Sequence, residues 1–177
     1  VLHGSDRDPP LPSHTVGLIT AAQAFHWFEP LLFREECRRI GRPGVKAALI
    51  WNSRVESDPA VQKWAEVCRR FCPEFTGFSG GKGKDGEGRR EKNLRLFFEG
   101  LPPAEEISLP FFQRYTLEEF LGRGLSSSYA PRPEEKNYRP YQEALAELFA
   151  AEEEGGRLSI PYLCQGWLCE PDRVQRT

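Results

Sequence analysis

The segment Ile19–Pro30, "ITAAQAFHWFEP", gathers polar and aromatic side chains where a short apolar strand ends. Within it, Gln23–Phe28 holds a side-chain amide, an imidazole and three aromatic rings. A strand that only had to turn would use glycine, asparagine or aspartate. An aromatic cluster that can also form hydrogen bonds instead predicts the lining of a binding site.

Other chemistry-bearing patterns are weaker. The segment 76–93, "TGFSGGKGKDGEGRREKN", is rich in glycine and charge but lacks the spacing and flanks of a phosphate-binding loop, so it predicts a flexible loop. The five cysteines are odd in number and irregular in spacing, which disfavours a disulfide framework. Cys68 and Cys72 have helical spacing, but the three histidines do not complete a zinc site, so we expect no metal. Reduced thiols in a cytoplasmic protein are the better interpretation.

Composition excludes some partners. The 177 residues suffice for one domain, and the net charge of -2 gives no bulk attraction to nucleic acid or anionic membrane. No apolar run approaches the roughly 20 residues of a membrane span. The chain contains no methionine and opens with the apolar pair "VL" before a polar turn, so we expect it to be a fragment.

The elements that must position the Gln23–Phe28 cluster alternate between strand and helix. The predicted strands are Thr15–Thr20, Val45–Ser53, Ile107–Tyr115 and Arg157–Leu168, and Pro161 in the last predicts an edge position or a bulge. The predicted helices begin at Pro30, at Asp58-Pro59, after the capping box of Thr116 and Glu119, and in the segment 133–156. Early alternation predicts an α/β fold built on parallel βαβ units, with a late antiparallel strand.

The sequence "GSDRDPPLPSHTVGLITAAQAFHWFEP…RRIGRPGVKAALIW" resembles the second half of class I S-adenosylmethionine-dependent methyltransferases. It is most similar to the small-molecule subgroup of the trans-aconitate methyltransferase type, and "LSSSYAP" and "IPYLC" extend the resemblance over the whole chain, 1–177. Three positions depart from the family pattern. Gly17 stands where strand 4 usually has aspartate, Arg7 where an acidic residue is frequent, and Val45 in place of the second glycine of a "P-G-G" turn.

The resemblance implies a partial Rossmann-like methyltransferase sheet, with strands 4, 5, 7 and 6, the end of strand 3 at Val1–Leu2, and helices on both faces. Strand 7 of the family sheet is antiparallel. Strands 1 and 2, the glycine-rich cofactor loop and the acidic residue that holds the ribose are absent from this chain. We therefore expect the isolated chain to be inactive, and strand 4 to expose an edge open to a partner or to self-association.

The resemblance also implies a site for S-adenosyl-L-methionine. The turn around Ser5 and Asp6 would meet the adenine, and the residues that follow strand 4 would face cofactor and methyl acceptor. The implied cofactor-binding residues are Ser5, Asp6, Thr20, Ala21, Ala22 and Gln23. His26 and Trp27 would line the acceptor pocket. The alternative is that His26 is a satisfied hydrogen-bonding residue and Trp27 packs under the helix.

Arginines could recognise an acidic acceptor. Arg54 follows strand 5 and Arg132 follows "SSSYAP", and a guanidinium can bind a carboxylate through two parallel hydrogen bonds. Solvated surface arginine is the alternative. Tyr129, and Ser127 or Ser128, could reach the acceptor side. A carboxylate acceptor is already anionic, so a base role for His26 is unnecessary.

Two functions follow from these patterns. One is methylation of a small molecule by the parent of this fragment, with a carboxylate as the candidate acceptor. The other is a non-catalytic truncated isoform or pseudo-enzyme that acts through protein contacts. A nucleic-acid methyltransferase is disfavoured, because no basic stripe and no base-flipping motif is present.

Overall fold

A computed structural model describes residues 3–78, 88–101 and 105–172. The strands are β1 (Val16–Ala22), β2 (Gly41–Arg54), β3 (Glu105–Tyr115) and β4 (Leu158–Cys169). The helices are α1 (Pro30–Ile40), α2 (Pro59–Phe71), α3 (Arg89–Phe98), α4 (Leu117–Leu125) and α5 (Tyr138–Glu152), with a 3₁₀ turn at Phe25–Trp27.

The four strands form one open sheet in the order β1-β2-β4-β3. This is the predicted order of strands 4, 5, 7 and 6, so the α/β fold class is confirmed. β1 and β2 are parallel, and Ala22 pairs with Ile50 near their carboxyl ends. β4 lies between β2 and β3, so the edge position predicted for Pro161 is wrong. The predicted end of strand 3 at Val1–Leu2 lies outside the described residues.

The glycines before β2 let the chain leave α1 and enter the strand within a few residues. Val16 pairs with Gly41 but Leu18 pairs with Lys46, so the intervening residues form an irregular bulge. Gly44 has the left-handed φ of 77° that this bulge requires. A Cβ on Gly41 would lie 2.4 Å from Cγ1 of Val45, so only glycine fits there.

Helix caps follow the predicted local rules. The Asp58 carboxylate accepts hydrogen bonds from the backbone N–H of Ala60 and of Val61, which begins α2. Thr116 and Glu119 form both bonds of the capping box of α4. The helix predicted over 133–156 is shorter than expected, because 133–137 form turns before α5 begins at Tyr138.

Helix α3 was not predicted. The structure begins it at Arg89, inside the segment predicted as a loop over 76–93, so that prediction is wrong from Arg89 onward. Residues 79–87 of the same segment lie outside the described residues. Asn93 and Phe97 of α3 are buried, which gives this charged sequence a reason to be helical that its composition does not show.

The described chain divides into two compact units. Among the described residues, the first unit comprises 3–52, 88–101, 105–109 and 164–172. The second unit comprises 53–78 and 110–163. Phe25, Phe33, Trp51 and Phe97 are central to the core of the first unit. The larger core of the second unit is formed by buried side chains of α2, α4, α5 and the neighbouring strands, listed here: Trp64, Phe120, Tyr141, Leu145 and Ile160.

Candidate functional site

The carboxyl ends of β1 and β2 are joined by Gln23. Its backbone N–H donates to the carbonyl of Ile50 at 2.9 Å, and its side-chain Nε2 donates to the carbonyl of Asn52 at 3.0 Å. Gln23 has a left-handed φ of 55°, which costs a non-glycine residue on the order of 1 kcal/mol or more. In open α/β sheets, ligands bind beyond the carboxyl ends of parallel strands, which is where Gln23 lies.

The 3₁₀ turn that follows is held by its first residue. Phe25 is fully buried and makes edge-on contacts with Phe28, Trp51 and Phe97. The side-chain amide of buried Asn93 donates to the carbonyl oxygens of Phe25 and Phe28, at 3.3 and 3.2 Å. Asn93 is thus a positioning residue that the sequence did not single out, because its role depends on a helix that was not predicted.

The other two residues of the turn lie nearer the surface. Trp27 is 69% exposed, so the alternative that it packs under the helix is wrong. Its ring contacts that of His26, with centroids 4.8 Å apart, and the Arg89 guanidinium lies 5.6 Å from the Trp27 ring centroid. Burial, and then the positive charge of Arg89, lower the pKa of His26 below its ordinary value. The imidazole is therefore neutral at neutral pH and keeps one nitrogen that can accept a hydrogen bond.

The predicted adenine turn folds on itself. The Ser5 hydroxyl oxygen accepts hydrogen bonds from the backbone N–H of Arg7 and of Asp8, each at 3.2 Å. Asp6 Oδ2 accepts from the backbone N–H of Glu29 at 3.3 Å, and Arg7 pairs with the Glu29 carboxylate at 3.8 Å. The structure therefore brings Ser5 and Asp6 to the chain just before α1, directly after the turn that carries His26 and Trp27.

The strand residues predicted to face the cofactor alternate. Thr20, Ala22 and Gln23 are exposed, whereas Ala21 is 5% exposed and belongs to the core of the first unit. Successive side chains of a strand point to opposite faces, which separates Ala21 from Thr20 and Ala22. Gln23 lies beyond the strand, in a left-handed conformation. The side chain of Ala21 therefore faces the core, and the open end of β1 presents those of Thr20, Ala22 and Gln23.

Arg54, Tyr129 and Arg132 belong to the second unit, as do Ser127 and Ser128, whereas the predicted cofactor residues, His26 and Trp27 belong to the first. Arg54 is not a solvated surface residue: its guanidinium carbon lies 4.2 Å from the centroid of the Trp64 ring. Tyr129 contacts the Phe75 ring edge-on, and burial is the main cause that raises its pKa. Arg132, the other predicted arginine, is exposed.

Within the described residues, no group of three or more histidine, cysteine, aspartate or glutamate side chains is placed to hold a metal ion. In the same residues, no helix has the length and apolar character needed to cross a bilayer.

Comparison with known proteins relates this architecture to methyltransferases. A stretch of 75 residues is 32% identical to an uncharacterised methyltransferase-like protein of Schizosaccharomyces pombe, covering 42% of this chain and 29% of that protein. A stretch of 69 residues is 35% identical to an uncharacterised methyltransferase of Mycobacterium tuberculosis, covering 39% of this chain and 28% of that one. No protein-family model matches the chain.

A solved structure extends the likeness to the whole fold. A protein from Anaeromyxobacter dehalogenans, named as a candidate type II methyltransferase, superposes over 96% of this chain and 71% of its own, with a TM-score of 0.63 and 21% identity. The chain has a class I methyltransferase fold. The matched stretches span less than a third of the two curated relatives, so activity and acceptor are matters for proposal.

The donors and acceptors of the first unit fit the cofactor of that fold. S-Adenosylmethionine presents an amino-purine, two ribose hydroxyls and a sulfonium. Asp6 offers a partly exposed carboxylate, and Ser5 and Thr20 offer exposed hydroxyls. The exposed methyl side chain of Ala22 leaves room for a ligand to approach the strand end.

Proposed function

We propose that this chain forms part of an S-adenosylmethionine-dependent methyltransferase that acts on a small molecule, with a carboxylate as the acceptor. The observation that carries the proposal is the carboxyl end of β1. There a strained Gln23 and an anchored aromatic turn follow a parallel strand pair, in a fold shared with methyltransferases.

Cofactor binding is assigned to the first unit. Asp6 and Ser5 bind the adenine side. The wall of the cofactor site at the strand end is formed by Thr20, Ala22 and Gln23, with the backbone of Ala21. The buried side chain of Ala21 limits its part to backbone contact.

His26 and Trp27 of the first unit are proposed to line the acceptor pocket. Arg54 and Tyr129 of the second unit are proposed, separately, as residues that recognise a carboxylate. The bound cofactor supplies an electrophilic methyl group. The residues of the chain hold the acceptor in line with it and exclude water, which is where most of the rate enhancement of such a displacement arises. A carboxylate needs no proton removed, so neutral His26 acts as a hydrogen-bonding wall of the pocket.

The chain supplies only part of the cofactor site. β1 ends the row of described strands, and the matched relatives are longer than this chain. We propose that the glycine-rich loop and the ribose-binding acid belong to a preceding segment of the parent protein, and that the 177 residues alone do not transfer methyl groups.

Calorimetric titration with S-adenosylhomocysteine tests both parts. We expect no micromolar binding to the 177-residue chain, and micromolar binding to a chain extended by its in-frame upstream coding sequence. In the extended chain, Asp6→Asn should weaken binding at least tenfold, whereas Asp8→Asn, in the same turn, should not. Micromolar binding to the short chain would contradict the incomplete site, and no binding to the extended chain would contradict the methyltransferase assignment.

A second candidate function is protein contact through β1. Its outer edge has no neighbour among the described strands, and Leu18 on it is 58% exposed. Such an edge can pair with a second copy of the chain. Sedimentation at rising concentration should then show a dimer that Leu18→Lys abolishes, and a monomer at high concentration would remove this candidate.

A further inference from the structure

The guanidinium of Arg54 is enclosed by aromatic rings of the second unit. Its carbon lies 4.2 Å from the centroid of the Trp64 ring, 4.3 Å from that of Phe78 and 5.6 Å from that of Tyr162. Trp64 has no exposed surface, and Phe78 and Tyr162 are each 7% exposed. The faces of aromatic rings attract a cation. The rings do not, however, provide acceptors for the N–H groups of the guanidinium.

Three buried nitrogens in this cluster have no hydrogen-bond partner among the described residues: Nε and Nη2 of Arg54 and Nε1 of Trp64. A buried donor without an acceptor is destabilising, and more so when it carries charge. More than nine in ten buried polar groups are satisfied in folded proteins. Three unsatisfied donors on two contacting side chains therefore indicate a missing acceptor.

The chemistry of that acceptor follows from which nitrogens are free. Nε and Nη2 form one edge of the planar guanidinium, with parallel N–H bonds, and this edge matches the two oxygens of a carboxylate. Because aromatic rings cover its faces, the guanidinium can bind a ligand only through the N–H groups that lie in its plane.

The surroundings favour an anion. No described carboxylate lies within ion-pair distance of Arg54. The ionisable side chains around the cluster are tyrosines and thiols: the hydroxyls of Tyr115 and Tyr162 lie 3.1 Å apart, and the thiol of Cys68 lies 3.6 Å from the hydroxyl of Tyr141. A hydrogen bond with Cys72 is the main cause that lowers the pKa of Cys68, and the charge of Arg54 acts in the same direction. Within the described residues, the second unit thus presents a cation that no carboxylate pairs with.

We propose that the Nε–Nη2 edge of Arg54, together with the indole N–H of Trp64, binds the carboxylate of a small-molecule ligand. This adds Trp64 to the residues that recognise the ligand. Identification of the ligand as the methyl acceptor rests on the proposed function, whereas its binding does not.

Titration of the chain with succinate tests the site without any methyl donor. Calorimetry and thermal unfolding are followed in chloride buffer at constant ionic strength, with neutral succinamide and inorganic phosphate as comparison ligands. We expect saturable binding of succinate, a raised melting temperature, no response to succinamide and a weaker response to phosphate. No saturable binding, an equal response to succinamide, or tighter phosphate binding would overturn the assignment.

Variants locate the site. Arg54→Met should weaken succinate binding at least tenfold, and it should unfold no lower than the wild type in chloride alone, because it removes a buried charge without a partner. Trp64→Phe keeps an aromatic ring, removes only the N–H donor, and should weaken binding about tenfold, as expected for one bond to a charged acceptor. Arg139→Met changes an exposed arginine of the same unit that has no predicted role, and it should leave binding unchanged.

Two outcomes of the variant series would contradict the proposal. One is succinate binding that survives Trp64→Phe unchanged, which would leave its N–H without a role. The other is an Arg54→Met chain that is destabilised in chloride and binds succinate normally, which would make Arg54 a packing residue satisfied by water. Neither outcome bears on methyl transfer, which the cofactor titration decides separately.

Discussion

Replacement of Asn93 tests whether the turn that carries His26 and Trp27 is anchored from α3. Asn93 is 8% exposed, and its amide donates to the carbonyl oxygens of Phe25 and Phe28. Asn93→Ala removes both donors and leaves two carbonyl groups in a buried setting. The Phe25 oxygen also accepts a hydrogen bond from the backbone N–H of Phe28 at 3.0 Å, which the substitution leaves in place, so the expected loss is that of the two side-chain bonds.

The expected loss follows from the two bonds. Each neutral hydrogen bond contributes about 1 kcal/mol, so Asn93→Ala should lower the free energy of unfolding by about 2 kcal/mol. For a chain of this length that is a fall of roughly 5 °C in melting temperature. Asn137→Ala is the matched control, because half-buried Asn137 donates a single bond of 3.1 Å to the carbonyl of Phe71 and should cost about half as much.

Denaturant unfolding followed by circular dichroism measures the stability of both variants. If Asn93→Ala is no less stable than Asn137→Ala, the anchoring argument is wrong. Asn93→Asp sharpens the test, since it places a carboxylate against two carbonyl oxygens. Burial should raise the pKa of the introduced carboxyl above its unfolded value of about 3.9. The folded state then binds the extra proton, so stability should fall as the pH rises from about 4 toward 7.

Three further predictions concern single local features. Asp58→Ala should cost about 1 kcal/mol, because it removes the acceptor that begins α2; an unchanged unfolding midpoint would contradict the cap. Gly41→Ala should cost about 2 kcal/mol or more, because the new methyl would lie 2.6 Å from a carbonyl oxygen, whereas Gly17→Ala meets nothing within 4 Å and should be neutral or stabilising. The NMR titration midpoint of His26 should lie below its ordinary pKa of 6.5; Arg89→Gln should raise it without restoring 6.5, because burial is the larger cause. A midpoint unaffected by Arg89→Gln would show that the charge does not act on the imidazole.

Local signals predicted most of the fold. Asp58-Pro59 and the pair Thr116 and Glu119 specify helix starts through bonds within a few residues, and the structure contains those bonds. The strand order came from the family resemblance, since strand pairing depends on distant partners that a single sequence does not reveal. The edge position, one of the two alternatives predicted for Pro161, was wrong for the same reason. The rule for proline in strands considers only the N–H group that proline lacks, and not which strands pair.

The site was predicted less completely than the fold. The segment Gln23–Phe28 was recognised from its unusual residue types, but the exposure of Trp27 and the contact of Asn93 depend on α3, whose sequence is too charged to predict a buried face. Trp64 is buried on α2. That its N–H has no acceptor is a property of its neighbours and could not be predicted from its spacing.

In each unit, one departure from a local preference lies at the carboxyl end of a strand of the parallel pair. In the first unit, Gln23 adopts a left-handed conformation directly after β1, where glycine or asparagine would be less strained. In the second unit, Arg54, the last residue of β2, lies among rings with two buried N–H groups unpaired. A chain selected only for stability would replace both, since Gln23→Gly relieves strain and Arg54→Met removes an unpaired charge. Natural sequences break such local rules mainly at functional or strained sites. The two conflicts therefore support ligand binding on grounds independent of the sequence resemblance.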